Sequence, residues 1–376
     1  MSSNTNTLFW VICGAVIVTA IFLLISTNYG EGLTAIFGKF NGLFTNNTNT
    51  ENSEMAKYYN HEPDYENLVI TNESDFIFNS QSKEITGYKG NSNEIVIPYE
   101  INGIKVEKVS NIGMYINNTQ WGMCDMEKDM YSWEHGNLDG WYEYATQRGL
   151  IVDSNGNCIH LQSLTKVVIP NTVKTIGDYA FYYQQLTNII IPDSVIEIGI
   201  QSFSNNMIEG EYVISKNVER IDLDAFYNNK LTTLDFSKAE KLTYIGAEAF
   251  MSNNISNKII FPKNLEELGM TAFIYNKISE IDLSVANKIS LIDYNCFYGN
   301  LLTSIEIPSN ITEVRGYAFS DNKITEVKIR GTNTSFASDV FHNNNNLTTI
   351  KVPSGTVSYY RSQSSLAAYA IVEGGF

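Results

Sequence analysis

The sequence predicts a repeat solenoid, built of short parallel strands joined by turns and short helical segments and preceded by one N-terminal transmembrane helix. Three observations carry that prediction. One phrase recurs about eight times: LTKVVIPNTVKTIGDYAFYYQQ from Leu164, LTNIIIPDSVIEIGIQSFSNNM from Leu186, and looser copies from Ile208, Leu231, Ile255, Ile278, Leu302 and Ile324, with a partial one from Leu347. The period is 22 to 24 residues. Copies of that length stack, because one copy cannot bury its own apolar face. Within each copy, T-x-I-x-I alternates with period 2, the mark of a strand with one buried face. Finally, Leu8 to Ile25 is an apolar run without a charge.

Taken in order, residues 1–28 read as a transmembrane anchor. Eighteen residues at ~1.5 Å rise give ~27 Å, close to the ~30 Å hydrocarbon thickness. The alternative is a cleaved signal peptide, but no Lys or Arg precedes the run, which exceeds the ~7–15 residues of a usual signal core. Lys39 is the first basic residue, so flanking charge does not orient the anchor. Residues 29–57 combine an amphipathic stretch, Gly30 to Phe44, with the polar spacer TNNTNTENSE.

Residues 164–346 hold the repeats, which approximate L-T-x-I-x-I-P-x-x-V-x-x-I-G-x-x-A-F-x-x-N. Pro170, Pro192, Pro262, Pro308 and Pro353 end the strand, since proline cannot continue a ladder. The V-x-x-I step returns the chain to the core. Phe181, Phe203, Phe226, Phe250, Phe273, Phe297, Phe319 and Phe341 then stack as an aromatic spine. Asn runs such as Asn205-Asn206 and Asn228-Asn229 fall in the turn before the next strand, where Asn tolerates left-handed backbone and caps itself. Cys296 replaces the Ala of an Ala-Phe pair and reads as a small buried residue.

With IPxxVxxIGxxAFxxN on the page, the chain resembles the BspA-like leucine-rich repeat proteins, found mostly on bacterial surfaces and in some parasitic protists. The resemblance runs from Leu164 to about Val352. Residues 58–112, with Ile85-Thr86-Gly87-Tyr88 and Ile95-Val96-Ile97-Pro98, are similar to the family's opening unit and read as an N-terminal cap. Residues 347–376, with Val352-Pro353-Ser354-Gly355 and Tyr359-Tyr360, look like its closing one. The resemblance implies adhesion and partner binding without a shared catalytic set.

Residues between the buried ones of each strand point outward. The first three copies then align Val168, Ile190 and Val213, and the middle copies place Asp235, Glu280, Asp282 and Glu306 nearby. β-Branched residues favour strands and acids favour water, which explains both columns without a ligand. The alternative is a partner-binding face, apolar above and acidic below.

Residues 113–163 break the pattern. They hold Trp121, Trp133, Trp141 and Tyr142, and also Cys124 and Cys158, candidates for a disulfide if the segment is exported. Departures from a repeat usually map to loops on the binding face, and exposed Trp and Tyr are common interface anchors. The same aromatics would equally form a small satellite core.

The formal net charge of −16 argues against nucleic acid, whose phosphates call for clustered Lys and Arg. No catalytic motif, cofactor loop or usual zinc spacing occurs, and Asp153 to Asn157 imitates a calcium loop without its Gly or closing Glu. The sequence therefore points to a non-enzymatic surface protein, needing no cofactor or metal. It would be a single-pass membrane protein with its repeats outside the cell, presenting a rigid face to a protein or glycan on a host or neighbouring cell. Secretion after signal cleavage is the other localisation. A filament subunit, self-assembling through its N-terminal helix, is the other function.

Overall fold

The computed structural model describes residues 69–112, 115–116, 119–120 and 163–376, all within the unit Lys57–Phe376. The expected anchor, 1–28, the stretch 29–57 and nearly all of the irregular segment 113–163 lie outside the described residues. Among the described residues, no helix is long and apolar enough to cross a membrane.

The period-2 phrase forms a front ladder in which strands pair in parallel from turn to turn. Ile95 lies beside Val167 at one end; at the other, Ile305, Val327, Ile350 and Ile371 follow one another in register. All of these point into one continuous hydrophobic core. Proline ends the strand as expected: Ser304–Ile307 stops before Pro308 and Thr349–Val352 before Pro353. The copy at 187–191 departs from expectation and forms no strand. It meets the next turn through the Glu209 N–H on the Thr187 carbonyl, beside Gly210, whose φ of 81° interrupts the ladder. Between Lys230–Asp235 and Ile259–Ile260 a side chain bridges the turns. Asn257 accepts from Leu234 N–H and donates to its carbonyl.

The V-x-x-I step makes a second ladder of two residues per turn. Lys108–Val109, Thr175–Ile176, Glu197–Ile198, Arg220–Ile221, Tyr244–Ile245 and Glu267–Leu268 pair successively in parallel. Turns approach closely here. A Cβ on Gly246 would stand 2.6 Å from the Asp222 carbonyl carbon and the Leu223 nitrogen one turn earlier. The small residue of the Ile-Gly step is thus required by contact between turns, not by its own dihedrals.

The aromatic spine forms as the sequence predicts. From Phe181 to Phe341, neighbouring rings lie 5.2 to 5.8 Å apart and within 21° of parallel. Cys296 is buried among them, and burial pushes its thiol well above the usual range. The turn around each Phe uses two left-handed positions that are mostly not glycine, such as Asp224 and Asn228 around Phe226.

The asparagine runs divide their work, which corrects the expectation that each simply caps itself. Asn205 and Asn228 hold left-handed backbone. Asn206 and Asn229 are buried instead and tie turns together. Asn229 accepts from Ile208 N–H at 3.0 Å and donates to the carbonyls of Phe203 and Phe226 at 2.9 and 3.2 Å. Asn253, Asn276, Asn300, Asn322 and Asn344 repeat this arrangement turn by turn. Gln184 begins the series by accepting from Leu164 N–H.

Both ends of the core are closed by irregular units. At the start, Phe76–Asn79 runs antiparallel to Glu84–Tyr88, and the Asn102-Gly103 turn joins Glu100–Ile101 to Ile104–Lys105. At the end, helix Val357–Arg361 buries Tyr360, whose hydroxyl donates to the Gly331 carbonyl at 2.7 Å. Arg361 donates to the Ile371 carbonyl, engaging one acceptor on the final strand Ala370–Glu373.

Glu107 pins the opening unit to the first repeat, accepting from Lys83 at 2.8 Å and Lys174 at 2.9 Å. Those two hydrogen bonds hold its carboxyl down at about 2 against an ordinary 4.5. A depressed carboxyl stabilises the fold above its unfolded value, and the contribution disappears as pH falls through the folded value. Glu107→Gln is therefore expected to lower Tm near neutral pH, with the difference from the parent vanishing between about pH 4.5 and pH 2. Both lysines are half exposed, so the effect is below about 1 kcal/mol. A difference in Tm that stays constant across this range would refute the assignment.

Candidate binding surface

The outward residues of the front ladder form two columns, placed by alternation. Ile190 is 37% exposed and Ile260 54% exposed, while Val213 and Asp235 are half-buried. Val168 is the correction. It is only 3% exposed and, like its register partner Val96, stands outside the core cluster, so its outward face is covered. The expected open patch of Val168, Ile190 and Val213 therefore lacks its first member. Alternation fixes which way a side chain points, not what lies over it.

The expected acidic zone is also different in kind. Lys258, one turn before Glu280 and Asp282, reaches both, at 2.7 and 3.3 Å. Arg330 reaches back to Glu306 at 2.8 Å, and Lys351 to Glu326 at 2.7 Å. Of these charges, all but Lys351 line an open groove of about 590 Å³ across the turns carrying Lys258, Glu280, Ser304 and Glu326. Glu280, Asp282 and Glu306 are thus matched by cations rather than left to repel one another.

Two of the acids also have structural work. Asp235 accepts from the Ser237 N–H and hydroxyl at 2.7 and 2.8 Å, closing the turn after its strand. Asp282 accepts from the Ser284 N–H at 2.9 Å. The Ser284 hydroxyl and N–H hold Asp282 below the usual carboxylate range, with Lys258 adding to the effect. Glu326 is likewise held down, chiefly by the Lys351 ammonium.

Trp121, Trp133, Trp141, Tyr142, Cys124 and Cys158 lie outside the described residues. Sequence reasoning did not select Lys258 and Arg330, which line the groove, or Lys351, which pairs with its Glu326. The signal for Lys258 and Lys351 was present in the outward columns, where each stands one turn from an acid. Among the described residues no group of three His, Cys, Asp or Glu side chains is placed to hold a metal ion. The groove offers fixed hydrogen-bonding and charged groups to a polar ligand.

A family model for the BspA type leucine rich repeat region matches six copies, over residues 155–279 and 267–365. The chain belongs to the BspA-type leucine-rich repeat family. No curated protein matches the sequence. Among solved structures, it is similar to a leucine rich cell surface protein from Faecalibacterium prausnitzii A2-165, at 18% identity over 81% of this chain and 98% of that one, with a TM-score of 0.39. A leucine-rich repeat protein from Bacteroides ovatus ATCC 8483 is 16% identical over 84% of this chain and 100% of its own, with a TM-score of 0.29. The pneumococcal vaccine antigen PcpA is 13% identical over 77% and 93%, with a TM-score of 0.30. BspA-type repeats build extended faces of the kind that bind rather than catalyse.

Proposed function

We propose that this BspA-type protein is a non-enzymatic cell-surface binding protein. It is held at the membrane by Leu8 to Ile25 and presents its front ladder to a protein or glycan on another surface. The groove around Lys258, Glu280, Ser304 and Glu306 carries this reading, because its charges are fixed in place before a partner arrives. Groups held by ion pairs between turns lose little side-chain freedom on binding, which favours recognition by a rigid face. Ile260, on the Lys258 turn, and Ile190, several turns earlier on the front ladder, supply exposed apolar contacts. Trp121, Trp133 and Trp141, from the irregular segment 113–163, act as additional anchors.

The test uses cells displaying the full chain, with capture of candidate host or neighbouring surfaces as readout. Lys258→Glu together with Arg330→Glu is expected to weaken capture by ~10-fold or more, with far-UV circular dichroism unchanged. Alanine at Trp121, Trp133 and Trp141 is expected to weaken it further. Capture insensitive to all of these substitutions would refute a binding role for this face.

A further inference from the structure

Asp224 and Glu248 occupy equivalent places in successive turns, two residues before Phe226 and Phe250, each with left-handed backbone at φ 56°. The Asp224 N–H donates to the Ala247 carbonyl at 3.0 Å, which brings the two turns together at this column. The two carboxyl groups stand within hydrogen-bonding reach of each other. Gln201, one turn earlier, donates its amide to Asp224 Oδ2 at 3.0 Å. Asp224 Oδ1, by contrast, is screened from solvent and accepts from no N–H or hydroxyl.

Two bare carboxylates in this setting would repel, with one oxygen desolvated and uncompensated. Neither Lys nor Arg figures among the groups acting on the pair, whereas Glu107, Glu280, Glu306 and Glu326 each have a cation. A proton held between the two carboxyls resolves both problems, because a protonated carboxyl is itself a donor. We infer that Asp224 and Glu248 share one proton, so that the joint between their turns is tight in acid and loosens when both ionise.

The surroundings leave the pair to titrate on its own. Asp222, on the same element, is engaged by Arg220 at 2.6 Å. Asp178, two turns earlier, accepts from the Ile200 N–H. Tyr179 faces Asp224 from the same column, but burial, then Asp178 and Asp224, push its hydroxyl above its usual range. Thr271 follows Glu248 in the column and carries no charge. Burial raises both carboxyls of the pair. For a raised carboxyl, the stabilisation is complete below its unfolded value and is lost as pH rises through the folded one.

Thermal unfolding of the full chain at several pH values tests the inference. Glu248→Gln keeps a donor to Asp224 that does not ionise. Relative to the parent, its Tm is expected to gain a few degrees as the pH is raised above the ordinary carboxyl range, because the parent loses its shared proton there and the variant has none to lose. Taking the difference between the two proteins removes the opposite pH dependence of groups such as Glu107. Should that variant fold poorly, Asp224→Asn makes the same comparison. The parent itself is also expected to show an infrared band of a protonated carboxyl, missing from Glu248→Gln, at pH values where ordinary carboxyls are already ionised. A difference in Tm that is flat with pH would overturn the inference, as would the absence of that band.

Discussion

Phe250→Ala is expected to lower stability by about 3–5 kcal/mol. Its ring is fully buried, with Phe226 and Phe273 stacked on either side at 5.4 Å and Phe236 edge-on at 6.3 Å. Truncation leaves a cavity that the neighbours cannot easily fill. Both flanking rings belong to other turns, whose spacing is fixed by parallel pairing in the second ladder and by the bond from Phe250 N–H to the Ala272 carbonyl. In a solenoid, stability passes between nearest neighbours, so the loss weakens the stack locally as well as globally. The midpoint of urea unfolding measures the effect. An unchanged midpoint would mean that the spine does not bear on stability.

Asn253→Ala is also expected to be clearly destabilising, by about 1–3 kcal/mol, although it removes a polar side chain. Asn253 accepts from the Leu231 N–H at 3.1 Å and donates to the Phe226 and Phe250 carbonyls at 3.0 and 3.2 Å. Alanine leaves the Leu231 N–H buried without its partner, which costs about 1–3 kcal/mol, while the Phe226 and Phe250 carbonyls each lose one of two donors and keep Asn229 and Asn276. Asn253→Asp separates this account from one based on volume alone. The aspartate matches asparagine in shape but, when ionised, sets a buried charge against two carbonyl oxygens. It is expected to be strongly destabilised at neutral pH and to recover on acidification, because a protonated carboxyl donates again. Equal stability of Asn253→Asp at about pH 4 and about pH 7 would refute the donor role.

Much of the scaffold was legible because its signals are local. The Ile-x-Ile alternation, the proline stop and the Ala-Phe pair each report the direction or end of a few residues. The structure follows them at Ile305, Pro308 and Phe319 alike. The asparagine signal was only half readable: Asn228 and Asn229 are adjacent and identical in type. One takes a left-handed backbone while the other bonds to groups from other turns. That difference depends on where Ile208 N–H and the Phe203 carbonyl arrive from preceding turns.

The candidate surface divides in the same way. Alternation placed Ile190, Glu280 and Glu306 on the outward side, but the cover over Val168 and the pairing of Glu306 with Arg330 were not readable from it. Glu306 and Arg330 are 24 residues apart, about one full turn of the stack. The sequence by itself determined the repeat, most of its strands, its aromatic spine and its family, because each is written within one period. The tertiary structure alone decided which charges neutralise each other, which outward residues are covered and which carboxyls meet. Those outcomes depend on the register between turns, which brings together groups a full period apart at distances where hydrogen bonds and desolvation act.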